Sequence, residues 1–226
     1  MNIVIAVAHQ LELDPFKAKF SVEESYNNGH GKVYLLETGH SAVRLVRTGI
    51  GMENARKSMG NTLKQLSDDD IRPDLLINFG TSGAIHPDRT VEDLVVGTEA
   101  ASNGGDTIAL DTIWSDHCIE YLVTLKRPYF RGPIYSTDKA VTDEQQRRTI
   151  YRETTAQVVD MECFSLAEVA GEYAIPFISM KYVSDNADEF AIKDFMANLE
   201  DATHDLSDLM YGFLEYLQEH KSRLLA

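Results

Sequence analysis

The sequence predicts an α/β fold in a single domain over residues 1–226, with a sheet covered by helices on both faces. Its 226 residues are 43% hydrophobic, which is enough to bury a sizeable core. Short β-rich runs alternate with stretches of helical periodicity. No repeat, low-complexity tract or linker divides the chain. These three observations favour one compact unit.

The predicted elements follow one another along the chain. Runs rich in β-forming residues predict strands at 3–7, 33–37, 42–48, 75–79, 94–98, 158–159 and 177–183. Apolar positions that repeat at three and four residues predict helices at 53–66, 163–173 and 195–217. Sheets of this kind bind ligands at the carboxyl ends of their strands. The residues that follow each strand are therefore the candidates for a functional site.

Charge and hydropathy restrict the partners that we expect. The chain has 36 acidic and 21 basic residues, and its formal charge of −15 predicts no binding to nucleic acid. The adjacent Arg147 and Arg148 lie in a polar helical stretch, which we interpret as a solvated helix face. No run of about 18 apolar residues predicts a membrane span, and the first residues do not resemble a signal peptide. We expect a cytoplasmic protein.

Two cysteines, Cys118 and Cys163, lie far apart in the sequence without a Cys-x-x-Cys pairing. This spacing predicts neither a disulfide framework nor a cysteine zinc site. Both thiols are expected to be reduced and structural.

The first predicted strand is followed by two polar candidates, His9 and Glu12. Taken locally, Glu12 is an acid near a helix N-terminus, where the helix dipole favours a negative charge. His9 is interpreted as a polar residue at a strand end, because no second histidine stands at metal-ligand spacing. The local sequence alone predicts a catalytic role for neither residue.

Two glycine-rich turns are predicted at strand ends, at 48–51 and 79–84. Glycines there would let backbone amides approach a ligand, and the Thr81 and Ser82 hydroxyls could offer hydrogen bonds. Ordinary turn chemistry is the alternative interpretation. Neither turn matches Gly-x-x-x-x-Gly-Lys-Ser/Thr, and the first lacks the third glycine of a dinucleotide fingerprint. A nucleotide-phosphate cradle is therefore not predicted.

Carboxylates stand at two further strand ends. Segment 158–162 enters a helix with Glu162, and segment 182–188 ends the last strand with Asp185. Carboxylates in such places tend to lie in a cleft, where desolvation raises their pKa and makes them proton donors. Helix N-capping is the alternative for Ser184 and Asp185. The second segment lacks the ligand spacing and central glycine of a calcium loop, so no metal is predicted.

In this order the segments resemble the purine nucleoside phosphorylase and nucleosidase superfamily, most closely its methylthioadenosine/S-adenosylhomocysteine nucleosidase branch. The most specific part is Val-Asp-Met-Glu at 159–162, followed about one helix and one strand later by Ser-Asp-Asn-Ala-Asp at 184–188. Support comes from the turns at 78–84 and 48–51 and from the acid at position 12. The resemblance spans nearly the whole chain. It implies a nucleoside phosphorylase-like fold, a three-layer α/β/α arrangement around a central mixed, twisted sheet.

The resemblance also implies roles for three separated acids. Breaking an N-glycosidic bond builds positive charge on the ribose and negative charge on the departing base. Asp185 matches the family residue that protonates the purine at N7. Glu162 matches the carboxylate that holds the ribose hydroxyls and whose negative charge favours an oxocarbenium-like transition state. Glu12 matches the base that activates water.

Contacts to the substrate or the attacking water are implied for a further set of residues, namely Thr81, Lys181, Met161, Val141, Ser184, Gly80 and His9. Thr81 and Lys181 fall where the hydrolytic branch places a serine and an arginine near the water. Met161 would pack against the sugar. The Val141 backbone and Ser184 would orient the base.

The chain departs from the family pattern at three places. Lys181 is a point charge on a flexible stem where the family has a planar guanidinium. Ala140 lies where an aromatic residue commonly stacks on the purine, and its loss removes part of the binding energy for adenine. His9 and Gln10 replace the more usual Met and Glu, and the imidazole could meet a different 5′ substituent.

The predicted function is hydrolysis of a purine nucleoside, first of all 5′-methylthioadenosine or S-adenosylhomocysteine, with release of adenine. Phosphorolysis stays open because Arg44 and Arg47 could reach a phosphate, although the acid at position 12 disfavours one. A catalytically inactive nucleoside-binding module is the other alternative. We expect no metal or organic cofactor. The resemblance implies a homodimer, with a small-molecule nucleoside as the ligand.

Overall fold

Residues 1–38 and 41–220 are described by a computed structural model, and within them the chain forms ten strands and six helices. The strands are β1 (Asn2–Val7), β2 (Val22–Asn27), β3 (Lys32–Leu36), β4 (Ala42–Arg47), β5 (Leu75–Ala84), β6 (Leu94–Ser102), β7 (Thr107–Ala109), β8 (Phe130–Ser136), β9 (Val158–Asp160) and β10 (Phe177–Asp185). The helices are α1 (Gln10–Lys17), α2 (Met52–Asp68), α3 (Thr112–Thr124), α4 (Glu144–Thr154), α5 (Cys163–Glu172) and α6 (Ala191–Glu219).

The ten strands form one mixed sheet, in the order β10-β6-β8-β9-β5-β1-β4-β3-β2 with β7 beside β6. Strand β10 also pairs with β5, so β5, β10, β6, β8 and β9 close into a ring. Strand β1 runs parallel to β4 and β5, and β5 runs parallel to β10. The carboxyl ends of these four strands therefore lie at one edge of the sheet.

Helices cover both faces of the sheet, and successive side chains of β1 point alternately to one face and the other. Ile3 and Ile5 pack in one apolar cluster with α1, α3 and α6, whereas Val4 and Ala6 pack in a second cluster with α2 and α5. The helix residues of these clusters include Leu13, Phe16, Trp114, Leu122, Phe213 and Leu217 on the first face and Met59, Leu63, Leu166 and Val169 on the second. The predicted α/β/α fold with a central mixed sheet is confirmed.

The seven predicted strands correspond to β1, β3, β4, β5, β6, β9 and β10, and the three predicted helices to α2, α5 and α6. Strands β2, β7 and β8 and helix α3 were not predicted. Strand β2 lies at the sheet edge with mostly exposed side chains, so it lacks an apolar pattern. Strand β8 contains Gly132 and Pro133, which normally interrupt strands.

The turn predicted at 79–84 is wrong, because β5 continues as a strand to Ala84. Gly80 and Gly83 stay extended and stand opposite Lys181 and Asp185 of β10. A Cβ atom on Gly83 would lie 2.8 Å from Oδ1 of Asp185. The glycine therefore makes room for a neighbouring carboxylate instead of bending the chain.

Helix α6 is the longest element, with 29 residues. Its length would suffice to cross a bilayer, but acidic residues occur along it. Within residues 1–38 and 41–220, no helix combines the length and apolar character of a membrane span. The buried side of α6 packs on the sheet, and its first turns reach the edge where β5 and β10 end.

Candidate active site

A cavity of about 260 Å³ opens where β1, β5 and β10 end. Glu12, Glu162 and Asp185 all line it. The first comes from the start of the chain and the other two from its last third. The fold thus brings together the three acids that the sequence singled out.

Glu12 is fixed in α1 by three hydrogen-bond donors. Its Oε2 accepts the backbone N–H of His9 at 3.0 Å, as part of a capping box at the start of the helix. Its Oε1 accepts both the backbone N–H and the hydroxyl of Thr81, each at 2.9 Å. A Cβ on Gly80 would lie 3.1 Å from the same Oε1. Glu12 is therefore both a helix-capping acid and a cavity residue in one fixed orientation.

Glu162 precedes helix α5 and is held by the turn that follows β4. Its Oε1 accepts the backbone N–H of Gly51 at 2.8 Å. Gly49 and Gly51 have φ values of +84° and +98°, so the predicted turn at 48–51 is confirmed and its shape favours glycine. Burial, followed by the negative charge of Asp160, raises the pKa of Glu162 to about 8. This shift favours the protonated form of Glu162 at neutral pH.

Asp185 ends β10 and is the most favourably placed proton carrier. Its Oδ1 accepts the Ala187 N–H at 2.9 Å, and its Oδ2 lies 3.0 Å from the Ser184 hydroxyl oxygen. That hydroxyl has one hydrogen and also lies 3.2 Å from the Ser82 carbonyl oxygen. When the hydroxyl donates to the carbonyl, it accepts a hydrogen bond from a protonated Asp185. Burial raises the pKa of Asp185, which favours this arrangement.

Lys181 is paired with Asp160 behind the cavity wall. Its Nζ lies 2.7 Å from Oδ2 of Asp160, and both side chains are 1% exposed. Burial alone would lower the pKa of Lys181, but the charge of Asp160 raises it above its ordinary value. Lys181 does not line the cavity. A Cβ on Gly80 would lie 3.6 Å from this Nζ and 3.1 Å from Oε1 of Glu12. The role near the attacking water, which the resemblance implies for Lys181, stays a prediction.

The other residues implied by the resemblance divide into two groups. Those that line the cavity are His9, Thr81, Val141, Met161 and Ser184. Gly80 does not line it, because Gly80 lies against the carboxylate of Glu12 and Nζ of Lys181. Because Gly80 has no side chain, it leaves room for these two side chains.

Two departures from the family pattern lie on the cavity wall. The Nδ1 atom of His9 accepts the N–H of Leu11 at 3.1 Å, which places the imidazole proton on Nε2. Ala140 lines the cavity with only a methyl group, and the aromatic ring of Phe195 in α6 also lines it. The wall therefore contains an aromatic side chain, but from a different segment.

Residues at the start of α6 were missed by the sequence prediction. Ala191 and Ile192 line the cavity together with Phe195, whereas the predicted helix began only at residue 195. The three positions share the spacing of one apolar helix face. Extending the helical pattern by one turn would have found them.

Among the described residues, the cavity wall carries Glu12, Glu162, Asp185 and Asp160 but no lysine or arginine. Neither Arg44 nor Arg47 lines it, and Nη1 of Arg47 donates to Gln10 Oε1 at 2.6 Å. In the described parts of the chain, no group of three or more His, Cys, Asp or Glu residues is placed to hold a metal ion. This wall suits an uncharged ligand better than phosphate.

Comparison with known proteins identifies the family of this chain and several named relatives. The family model described as the phosphorylase superfamily matches residues 2–215. The 5′-methylthioadenosine/S-adenosylhomocysteine nucleosidase of Desulfotalea psychrophila is 25% identical over 237 residues, covering 97% of this chain and 99% of that protein. The nucleosidase of the same name from Listeria monocytogenes is 27% identical over 222 residues, covering 86% and 91%.

Solved structures share the fold at lower sequence identity. The nucleosidase of the same name from Helicobacter pylori, complexed with a substituted pyrrolidin-3-ol, has a TM-score of 0.87 at 19% identity, and the match covers 95% of this chain and 98% of that one. Futalosine hydrolase of Helicobacter pylori also has a TM-score of 0.87, at 20% identity, and covers 95% and 97%. Both superpose on nearly all of the chain.

Proposed function

The chain belongs to the phosphorylase superfamily, and from this premise we propose that it is a nucleosidase that hydrolyses 5′-methylthioadenosine or S-adenosylhomocysteine to release adenine. The observation that carries the proposal is the meeting of Glu12, Glu162 and Asp185 in one cavity. Curated relatives that align with most of the chain are named for this activity, which supports the choice of substrate.

Asp185 is proposed to donate the proton that the leaving base needs. As the bond between C1′ and N9 breaks, negative charge develops on the purine, and protonation at N7 neutralises it. Burial raises the pKa of Asp185 and so favours its protonated form, and Ser184 offers that proton an oriented acceptor. The proton leaves with adenine.

Glu12 is proposed to accept a proton from the attacking water. Its Oε1 is already fixed by the two donors of Thr81, so a water beside this carboxylate would be held in one place. The water oxygen bonds to C1′ and one of its protons passes to Glu12. The products are adenine and the 5-substituted ribose, and no cofactor enters the balance.

Glu162 is proposed to bind the ribose hydroxyls. Hydroxyl donors stabilise the anionic form of a carboxyl group, so a bound ribose would displace the proton that burial holds on Glu162. The resulting negative charge then lies beside the electron-poor sugar of the transition state. Met161, which also lines the cavity, would pack against the sugar.

Hydrolysis is favoured over phosphorolysis by the charges of the wall. A phosphate would have to enter beside Glu12, and no arginine or lysine lines the cavity to offset the repulsion. The arginines considered from the sequence, Arg44 and Arg47, lie outside this wall. Phosphorolysis is therefore not the function that the site supports best.

Product analysis tests the proposal directly. We would incubate the protein with 5′-methylthioadenosine, S-adenosylhomocysteine, adenosine, inosine and a pyrimidine nucleoside, with and without inorganic phosphate, and separate the products by chromatography. We expect adenine and a free sugar at a rate that phosphate does not change. A sugar 1-phosphate would establish phosphorolysis, and binding without turnover would establish a binding module.

The proposal includes a homodimer in the cytoplasm. Apolar side chains around the cavity mouth, Leu11, Ile50, Ile192 and Met196, are exposed in the single chain and could be covered by a second copy. Cys118 and Cys163 are free thiols, as expected in a reducing compartment. Light scattering at micromolar concentration tests the dimer.

A further inference from the structure

We propose that Asp160 and Lys181 form a buried ion pair of positioning residues whose charges act on the neighbouring carboxyl group of Glu162. This inference rests on the proposed function for the role of Glu162 in binding ribose. It assigns to Lys181 a task in addition to the one that the resemblance implies.

The geometry commits Lys181 to Asp160. Their Nζ–Oδ2 distance is 2.7 Å, and both side chains are almost completely buried. Asp160 also accepts the Ser136 hydroxyl at 2.5 Å and the Cys163 N–H at 2.9 Å. All three neighbours of this carboxyl group are hydrogen-bond donors. In the described chain Lys181 Nζ lies within 4.0 Å of no other carboxylate oxygen.

Glu162 interacts electrostatically with three other ionisable side chains. Glu12 belongs to α1, Asp160 to β9, Glu162 to the start of α5 and Lys181 to β10. Cys163 is a further titratable neighbour, and burial raises the pKa of its thiol, which keeps it neutral. This group of four side chains therefore has three acids for one cation.

The three acids differ in the number of donors that they accept. Glu12 accepts three hydrogen bonds and Asp160 accepts two hydrogen bonds and an ammonium group. Within residues 1–38 and 41–220, Glu162 accepts only the Gly51 N–H. It is the least compensated of the three anions, and the rise of its pKa through burial and through Asp160 agrees with that geometry. Lys181 opposes the rise.

Two substitutions should therefore act in opposite directions. Lys181→Met removes the only cation and should move the pKa of Glu162 upward, whereas Asp160→Asn removes a nearby anion and should move it downward. The pH profile of kcat/KM reports ionisations of the free enzyme. Its acidic limb should therefore shift by on the order of one pH unit, upward in Lys181→Met and downward in Asp160→Asn.

The kinetic experiment measures kcat/KM for 5′-methylthioadenosine from pH 5 to 10. Lys181→Arg keeps the charge and should leave the limb in place. The double variant D160N/K181M removes both charges, and its limb should fall between those of the two single variants. It also keeps the test decisive if a single variant leaves an unpaired buried charge and does not fold.

A second measurement needs no turnover, so that its outcome is separate from that of the proposed function. Carbon-13 NMR of labelled glutamate carboxyl groups, with the Glu162 signal assigned through Glu162→Gln, gives the titration of the free protein. We expect a midpoint near pH 8 in the unmodified protein, moved oppositely in the two variants.

Three results would overturn the inference. One is a Glu162 titration near the ordinary value of 4.5. The second is a shift of the limb in the same direction in K181M and D160N. The third is a loss of kcat in K181M at every pH with the limb unmoved, which would show that the lysine does not act through Glu162.

Discussion

The three acids of the cavity differ in the number of donors that hold them. Glu12 accepts three donors and Glu162 accepts one amide, whereas Asp185 accepts one amide and lies beside a hydroxyl that can accept its proton. Hydrogen bonds to a carboxylate favour its charged form, and desolvation favours its neutral form. Identical functional groups are thereby suited to opposite tasks, a base at Glu12 and an acid at Asp185.

Asp185→Asn should separate catalysis from binding. The amide keeps the size of the carboxyl group but offers no transferable proton, so adenine release should fall by about 10²–10⁴-fold while substrate affinity survives. Single-turnover rates and calorimetric binding measure the two quantities.

Asp188→Asn is the matched control, because the same change then lies in the same turn but outside the cavity wall. This control should retain most of the activity. An equal loss in both variants would indicate damage to the turn rather than loss of the proton donor.

Glu162→Gln should change the dependence of stability on pH. The pKa of Glu162 rises from 4.5 to about 8 on folding, so between these values the unfolded chain releases a proton that the folded protein keeps. The contribution of Glu162 to stability is therefore lost progressively as the pH rises through this window.

The Glu162→Gln variant does not undergo this loss of stability. Its free energy of unfolding relative to the unmodified protein should increase between pH 5 and pH 8, as measured by urea denaturation at both values. A difference that stays constant across the window would contradict the raised pKa.

Among the elements, β5 illustrates what sequence patterns miss. Glycines after an apolar run usually indicate a turn, yet Gly80 and Gly83 continue the strand because Glu12 and Asp185 approach it closely. The approaching side chains belong to α1 and β10, far away in the sequence. No local pattern contains that information.

Gly83→Ala should test this close approach. Its Cβ would lie 2.8 Å from Oδ1 of Asp185 and 3.0 Å from Cβ of Ala187, so we expect a loss of about 1–3 kcal/mol in unfolding free energy and reduced adenine release.

Gly60→Ala in α2 is the matched control, because its Cβ would meet nothing within 4 Å. In a helix this change should stabilise the protein by up to about 1 kcal/mol. Chemical denaturation of both variants gives the comparison, and a neutral effect at Gly83 would argue against a steric role.

Strongly patterned elements were predictable, and long-range pairing was not. Helix α2 and strand β1 carry clear apolar periodicity, whereas β2 is mostly polar at the edge of the sheet. The resemblance supplied the three acids. The pairing of Lys181 with Asp160 depends on how β9 and β10 both join β5, which the sequence does not encode locally.

At the scale of the whole molecule, the ring of β5, β10, β6, β8 and β9 shields much of the interior. Cys118 and Cys163 lie in the two apolar clusters on opposite faces of the sheet. Burial raises the pKa of Cys118 to about 12 and also raises that of Cys163. Neither thiol is available as a thiolate at neutral pH.

Alkylation should therefore report global unfolding. We expect neither thiol to react with iodoacetamide at pH 8 in the native protein, and both to react in concentrated urea, as measured by mass spectrometry. Labelling of Cys118 in the native protein at the rate of a free thiol would mean that α3 opens independently.

The separation of the acids along the chain also affects biosynthesis. A ribosome that has translated the first 160 residues has produced Glu12 but neither Glu162 nor Asp185. The early strands of a nascent chain can pair before then, but the cavity waits for β10, which must insert between β5 and β6. A truncated translation product that stops before this strand would lack two walls of the cavity. Only chains that have been completed and folded would therefore be active.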